Sequence, residues 1–400
     1  MNRIAFVTSW YGEDIPGGAE KELRGLAEHF NKSDINMQVE VLTTCIKEFS
    51  SDWNVDFYKA GEYQVNGVLT RRFKVRKRNT EQFDKVNYKL IHKIPITLEE
   101  EQTFIQEMAN STDLYKYIEQ KKDEYDLFIY IPYMFGTTYY GIKACPEKAV
   151  LLPCFHDESY IYMNIYKRVF EETAGVIYLA EPECELANRV FDFSKVQQKV
   201  LGAGVDAVPS SDGNRFKNKY KIDKPYILYA GRKDVGKNVD KLLLYFSEYK
   251  KRNNSDLQLV LIGGGSIEIP LDIIKEVHDL GYVDLQDKYD AYNGALVLCQ
   301  PSTNESFSLV IMESWLCGRP IIVHENCKVT SYFAKQSNGG LYFKDYFEFE
   351  ASIHYLQNNI AMTNRMGSNG KKFVEENFSW NIIVERYYIF FKSIIEKNNM

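Results

Sequence analysis

The chain has no Asp-x-Asp, no Cys-x-x-Cys and no Gly-x-Gly-x-x-Gly anywhere in its 400 residues. The first absence leaves no acidic pair of the kind that bridges a divalent metal to a diphosphate. The second, with seven scattered cysteines (Cys45, Cys145, Cys154, Cys184, Cys299, Cys317 and Cys327), argues against a zinc site or a disulfide framework and for reduced, buried thiols. The third leaves a dinucleotide-binding fingerprint unsupported at the turn after the first strand. No apolar run approaches the ~20 residues of a membrane helix. Met1-Asn2-Arg3 leads directly into strand-like Ile4 to Val7, so a soluble, cytoplasmic protein is expected. The net charge of −6 argues against a nucleic-acid partner.

Hydrophobic content of 45% and charged content of 26% are ordinary globular values, and the length suits two domains. Apolar runs alternate with helix-like segments in both halves, as in doubly wound parallel sheets. In the first half the runs are Ile4 to Ser9, Val39 to Thr43, Val68 to Val75, Leu127 to Ile131, Ala149 to Phe155 and Gly175 to Leu179. One helical stretch from about Gln82 to Lys122, interrupted near Pro95, separates the third from the fourth. Tyr226 to Ala230, Leu257 to Ile262 and Leu296 to Cys299 open a second series. A polar linker at Pro209 to Asn214 places the boundary near residue 206. The expected division is 1–205, 206–380 and a C-terminal helix 381–400 that returns to the first domain. Trp380, just ahead of that helix, is read as a packing residue.

Chemistry gathers where strands end. Gly17 and Gly18 follow the first strand and open a helix with Leu23, Leu26, Ala27 and Phe30 on one side, so backbone can approach a ligand there. His156 ends the Ala149 to Phe155 run. Arg232 and Lys237 bracket the turn after Ala230, a planar fork and a mobile point charge suited to a diphosphate. Gly263 and Gly264 end the next strand; Gly281 and Tyr282, expected one helix later, are placed to meet a flat base. Finally, Cys299 to Val323 reads strand, loop, helix, strand. Glu305 sits in its loop and Glu313 lies just over two turns on, so both carboxylates are expected to face one cleft. The N–H groups of Phe307, Ser308 and Leu309 at that helix start suit an anion.

This Glu305/Glu313 spacing resembles the signature of retaining nucleotide-sugar glycosyltransferases of the GT-B fold, family four (glycosyl transferases group 1). Gly17-Gly18, His156, Arg232 with Lys237, and the Glu pair stand in that family's order. The resemblance implies two Rossmann-like domains with the active site in the cleft between them. The implied reaction is transfer of a hexosyl group from a UDP- or GDP-sugar to a hydroxyl of a glycan or lipid-linked glycan, as in bacterial surface polysaccharide synthesis, with no metal and no cofactor.

It also implies roles: Glu305 and His156 at the donor sugar, Glu313 at the ribose, Arg232 and Lys237 on the diphosphate, and Gly17 and Gly18 facing the phosphates. Two departures stand out. Asn238 occupies the place of a glycine, and Ser306-Phe307-Ser308 replaces Gly-Phe-Gly. A non-hydrolysing sugar-nucleotide epimerase of the same fold, or a silent nucleotide-sugar-binding subunit, are the alternative readings.

One charge feature stands apart. Arg71 to Lys93 holds nine basic residues against Glu81 and Asp84, a local +7 that leaves −13 for the rest. An anionic membrane surface contacted through Arg71, Arg72, Lys74, Arg76, Lys77 and Arg78 is one expectation, and a solvated face the other.

Overall fold

The structure is a computed structural model that describes residues 2–398. The chain forms two units. One runs to Gly204 and takes in the last helix from Trp380, and the other is Val205–Ser379.

The first unit holds an eight-stranded sheet of β1 (Asn2–Val7), β2 (Met37–Thr44), β3 (Gly61–Val65), β4 (Val68–Phe73), β5 (Leu127–Tyr130), β6 (Ala149–Leu151), β7 (Gly175–Tyr178) and β8 (Gln197–Val200). Their spatial order is β3-β4-β2-β1-β5-β6-β7-β8, so the winding direction reverses between β1 and β5. Every pair is parallel except β3 with β4. That hairpin turns on Asn66 (φ 49°) and Gly67 (φ 81°), two residues that accept the left-handed conformations such a turn requires. The stretch expected as one interrupted helix is three, Thr80–Ile91, Leu98–Gln106 and Thr112–Lys121. Ser111 makes the second break by capping the third, accepting a bond from Leu114 N.

The second unit holds β9 (Tyr226–Ala230), β10 (Gln258–Ile262), β11 (Val277–Asp279), β12 (Val297–Gln300), β13 (Ile321–His324) and β14 (Gly340–Phe343), all parallel. Their order, β11-β10-β9-β12-β13-β14, reverses at β9 and β12. Strands buried on both faces need apolar side chains throughout, and Tyr226-Ile-Leu-Tyr-Ala230 and Ile321-Ile-Val-His324 are buried at every position. Leu242, Leu243, Phe246 and Tyr249 of the helix Val239–Arg252 join the core on one side of this sheet. No α-helix intervenes between Ile262 and Gly281. A short 3₁₀ turn at Leu271–Ile273 and the three-residue β11 stand there instead. The segment carries Pro270 and a Gly263-Gly264-Gly265 start, both poor for a helix.

The last helix, Trp380–Asn398, buries Ile383, Tyr387, Phe391 and Ile394 in the first unit. Trp380 lies against the bare Cα of both Gly25 and Gly204. A methyl group added at either would come within about 2.2 Å of its ring.

Most arginines of the basic run are engaged inside the first unit, while Lys74, Lys77, Lys85 and Lys93 stay exposed. Glu40, fully buried on β2, takes Arg3 at 2.6 Å and Arg71 at 2.7 Å. Arg72 is 5% exposed, donates to Tyr11 O at 2.8 Å and lies 3.8 Å over the Tyr58 ring. Arg76 pairs with Glu107 at 2.9 Å, and Arg78 lies over the rings of Trp53 and Phe83. Lys77 reaches the Asn54 carbonyl, while Lys85 and Lys89 pair with Glu81 and Glu100. Of the six residues expected to meet a membrane, only Lys74 and Lys77 have exposed side chains. Acidic partners distant in sequence, Glu40, Glu62, Glu100 and Glu107, offset four of the local +7, so the run offers a membrane fewer free charges than its sequence suggests.

Candidate nucleotide-sugar site

The reversal point of a parallel sheet leaves a crevice at the carboxyl ends of its strands. In the second unit that crevice lies beyond β9 and β12, and the residues singled out there converge. Asp234 shapes the first loop. One of its oxygens accepts from Lys237 N at 2.9 Å and the other pairs with the largely exposed Arg232. Lys237 Nζ then lies 2.7 Å from Glu305 Oε1, joining the loop after β9 to the loop after β12. Asn238 adds a second tie by donating to Pro301 O at 3.1 Å. Its φ of 55° explains the first departure noted above, because asparagine enters the left-handed region more readily than other side chains.

Three loops are knitted through backbone. Gly231 N donates to Ile262 O, Lys233 N to Gly264 O at 2.8 Å, and Gly263 N to Gly281 O at 2.7 Å. Gly263 must be glycine: φ is 119° and a Cβ would stand 2.1 Å from Gly231 O. Beneath them Lys233, 3% exposed, pairs with Asp279, whose Oδ1 also accepts from Gly281 N. This pair, buried on its lysine side only, has one signal in the sequence, the position of Lys233 directly after Arg232. Tyr282 lies against Gly264, yet is 80% exposed, so one flat face is open at the strand ends.

The two glutamates do not share a setting. Glu305 is partly open and pairs with Lys237. Glu313 is 2% exposed in the helix Leu309–Leu316, with Lys288 Nζ at 2.7 Å and Tyr292 OH at 3.0 Å on its two oxygens. Lys288 and Tyr292, four apart on the helix Leu285–Gly294, project from one face and hold it. The two carboxylates are therefore not equally open: Glu305 is partly exposed, and Glu313 is held by Lys288 and Tyr292 of its own unit.

Phe307 is buried edge-on against Phe333 and Phe378, so its side chain packs. Ser308 caps the helix start, just ahead of Leu309, with φ 72°. Its hydroxyl makes no capping bond and has no hydrogen-bond partner although buried.

In the first unit, Gly17 (φ 132°) precedes the helix Gly18–Lys32, and a Cβ there would strike the Glu20 carboxylate, while Gly18 faces open space. The loop before them is braced three ways that sequence reading missed. Glu20 accepts from Trp10 Nε1 at 2.7 Å, Arg24 donates to the carbonyls of Gly12 and Ile15, and Arg72 donates to that of Tyr11. Trp10 packs among Phe49, Trp53 and Phe135. His156 lies past β6, with β5 between it and β1. It is partly exposed, its Nδ1 3.6 Å from Glu158 Oε1. Among the described residues, no group of three His, Cys, Asp or Glu side chains is placed to hold a metal ion. Nor is any helix long and apolar enough to cross a membrane.

Residues 210–373 match the family model of glycosyl transferases group 1. The chain is 24% identical over 251 residues to an uncharacterized glycosyltransferase of Methanocaldococcus jannaschii, an alignment covering 59% of this chain and 63% of that one. It therefore spans less than two thirds of that relative's length. Among solved structures it is similar to sucrose-phosphate synthase from Thermosynechococcus elongatus, with TM-score 0.71, 18% identity, and 99% and 100% of the two chains covered. It is also similar to Anabaena HepE in complex with UDP-glucose, with TM-score 0.68, 14% identity, and 98% and 99% covered. These likenesses show the fold: two Rossmann-like parallel-sheet units of the GT-B class.

Proposed function

We propose that the protein transfers a hexosyl group from a UDP- or GDP-sugar to a hydroxyl of a glycan or lipid-linked glycan, with retention at the anomeric carbon. The observation that carries this reading is the Lys237–Glu305 pair across the β9/β12 reversal, with Arg232 beside it. A donor diphosphate offers both cations better anionic partners than lone carboxylates. As it takes Lys237, it releases Glu305 to accept from a sugar hydroxyl. Breaking the bond from anomeric carbon to phosphate oxygen places new negative charge on the diphosphate, where Arg232 and Lys237 stabilise it. The acceptor oxygen forms the new bond on the same face, and its proton passes to the departing phosphate oxygen. The two cations do this without a divalent metal. The face of Tyr282 and the Gly281 backbone meet the base, Glu313 holds the ribose, and His156 acts at the sugar.

The test is a panel of UDP- and GDP-hexoses with glycan acceptors, run with and without EDTA, with the product's anomeric configuration read by NMR. Acceptor-dependent release of nucleoside diphosphate and a retained configuration are expected, unchanged by EDTA. An epimerised donor without acceptor defines an epimerase, and tight binding without turnover a silent subunit.

A further inference from the structure

Glu183 is a deeply buried carboxyl group that the proposed chemistry leaves unused. It sits in the first turn of the helix Glu181–Val190, 1% exposed, behind Ala180, an N-cap with no side-chain oxygen to offer. The carboxyl group turns back instead. Oε2 accepts from Leu179 N at 2.7 Å, one residue ahead of the N-cap N–H that a capping-box glutamate would take. Oε1 accepts from Phe155 N, also at 2.7 Å, in a different loop 28 residues away. Phe155 immediately precedes His156.

We infer that Glu183 is a positioning residue for His156: it pins the main chain at Phe155 and so sets where the imidazole stands. The loop needs such a pin. Cys154, one residue earlier, has φ 57°, a conformation that a non-glycine residue keeps only when its surroundings enforce it. On the other side of the loop, Tyr133 N donates to Pro153 O at 3.0 Å, and Tyr133 OH reaches Glu158 Oε1 at 3.4 Å. That same Glu158 oxygen lies beside His156 Nδ1. The histidine is thus held from β7's side through Glu183 and from β5's side through Tyr133 and Glu158. Each N–H takes its own carboxylate oxygen, whereas an amide would set its NH₂ donor against one of the two main-chain N–H groups.

Burial raises the Glu183 carboxyl group to about 8, against the two N–H bonds that favour ionisation. The titratable groups facing it are Tyr178 on β7, Cys184 beside it and Tyr387 from the last helix, with Cys154 and Glu22 near Tyr387. Burial raises Tyr178, Cys184 and Tyr387, leaving them neutral where Glu183 titrates. A proton on Glu183 turns one acceptor oxygen into a donor facing an N–H, which loosens the pin.

The experiment rests on the role given to His156 and separates the two. The chain has six histidines, and the His156 ring signal is identified in NMR spectra by its loss in His156→Ala. Glu183→Gln should shift that ring signal while leaving the other five in place. It should also lower kcat roughly tenfold or more with donor KM within about twofold. The double variant Glu183→Gln/His156→Ala should be no slower than His156→Ala alone, because one acts through the other. Multiplying losses, or an unmoved His156 signal, overturn the inference. If Glu183→Gln does not fold, Glu183→Asp, which keeps the charge but shortens the reach, should shift the same ring signal, and an unmoved signal overturns the inference. Full activity in His156→Ala would remove the histidine's proposed role, while the ring signal still tests the pin.

Discussion

Each sheet reverses direction once, and the loops at the two reversal points are built from opposite materials. Beyond β9 and β12 the second unit presents Arg232, Lys237 and Glu305 on glycine-rich backbone, Lys237 paired with Glu305 and Arg232 with the loop's own Asp234. Beyond β1 and β5 the first unit presents Trp10 in a nest of Phe49, Trp53 and Phe135, while its charges, Glu20, Arg24 and Arg72, are turned inward on indole and carbonyl groups. The same topology thus leaves charge at one reversal point and a closed aromatic cluster, with Trp10 only 2% exposed, at the other. Charge spent on bracing a loop is not available to bind.

The sharpest way to break this contrast is to remove the cations. Lys237→Ala or Arg232→Ala should lower kcat/KM roughly ten- to a thousandfold, because each loses a charge-assisted contact of ~1.5–3 kcal/mol where charge develops. Steady-state kinetics within twofold of the parent for both would end the assignment of the anion crevice. Trp10→Ala, by contrast, should leave nucleoside-diphosphate affinity within twofold by calorimetry.

Glu313→Gln sharpens the picture inside the second unit. A ribose contact is equal in ground and transition states, so donor KM should rise about tenfold with kcat within about threefold. A fall in kcat at constant KM would move Glu313 into the chemistry. A smaller effect is expected from Ser308→Gly. Releasing a serine from φ 72° removes a strain of about 1 kcal/mol, visible as a rise of roughly 2–4 °C in Tm for a unit of this size. An unchanged or lowered Tm would show that the hydroxyl holds the loop. The smallest effect concerns the basic run. With Arg71, Arg72, Arg76 and Arg78 engaged internally, co-sedimentation should be equally weak with anionic and neutral vesicles. Salt-sensitive binding to anionic vesicles alone would restore the membrane patch.

How far the sequence could be read follows from the same physics. Continuous apolar runs mark strands buried on both faces, so the central strands of both sheets were legible, as were the helix faces carrying Leu23 and Leu242. β3 was missed because four of its five residues are exposed, although its Asn66-Gly67 turn was there to be seen. The absent helix before Gly281 was missed because strand-helix alternation was assumed to continue. Charge was read worst: Arg71 and Glu40 are 31 positions apart, so no window along the sequence joins them. Residue types at strand ends located Arg232, Lys237 and Glu305, but the partners that bury Glu313 and Lys233 come from other elements.

The last helix has a consequence for how the chain is made. Val205–Ser379 is continuous in sequence, whereas the first unit lacks a piece until Trp380 and the residues after it emerge. On the ribosome the second unit can close first, while Gly25 and Gly204 wait with an open slot for an indole translated last. A stop codon just before Trp380 would therefore injure the half of the protein made earliest, leaving the half beside the truncation intact.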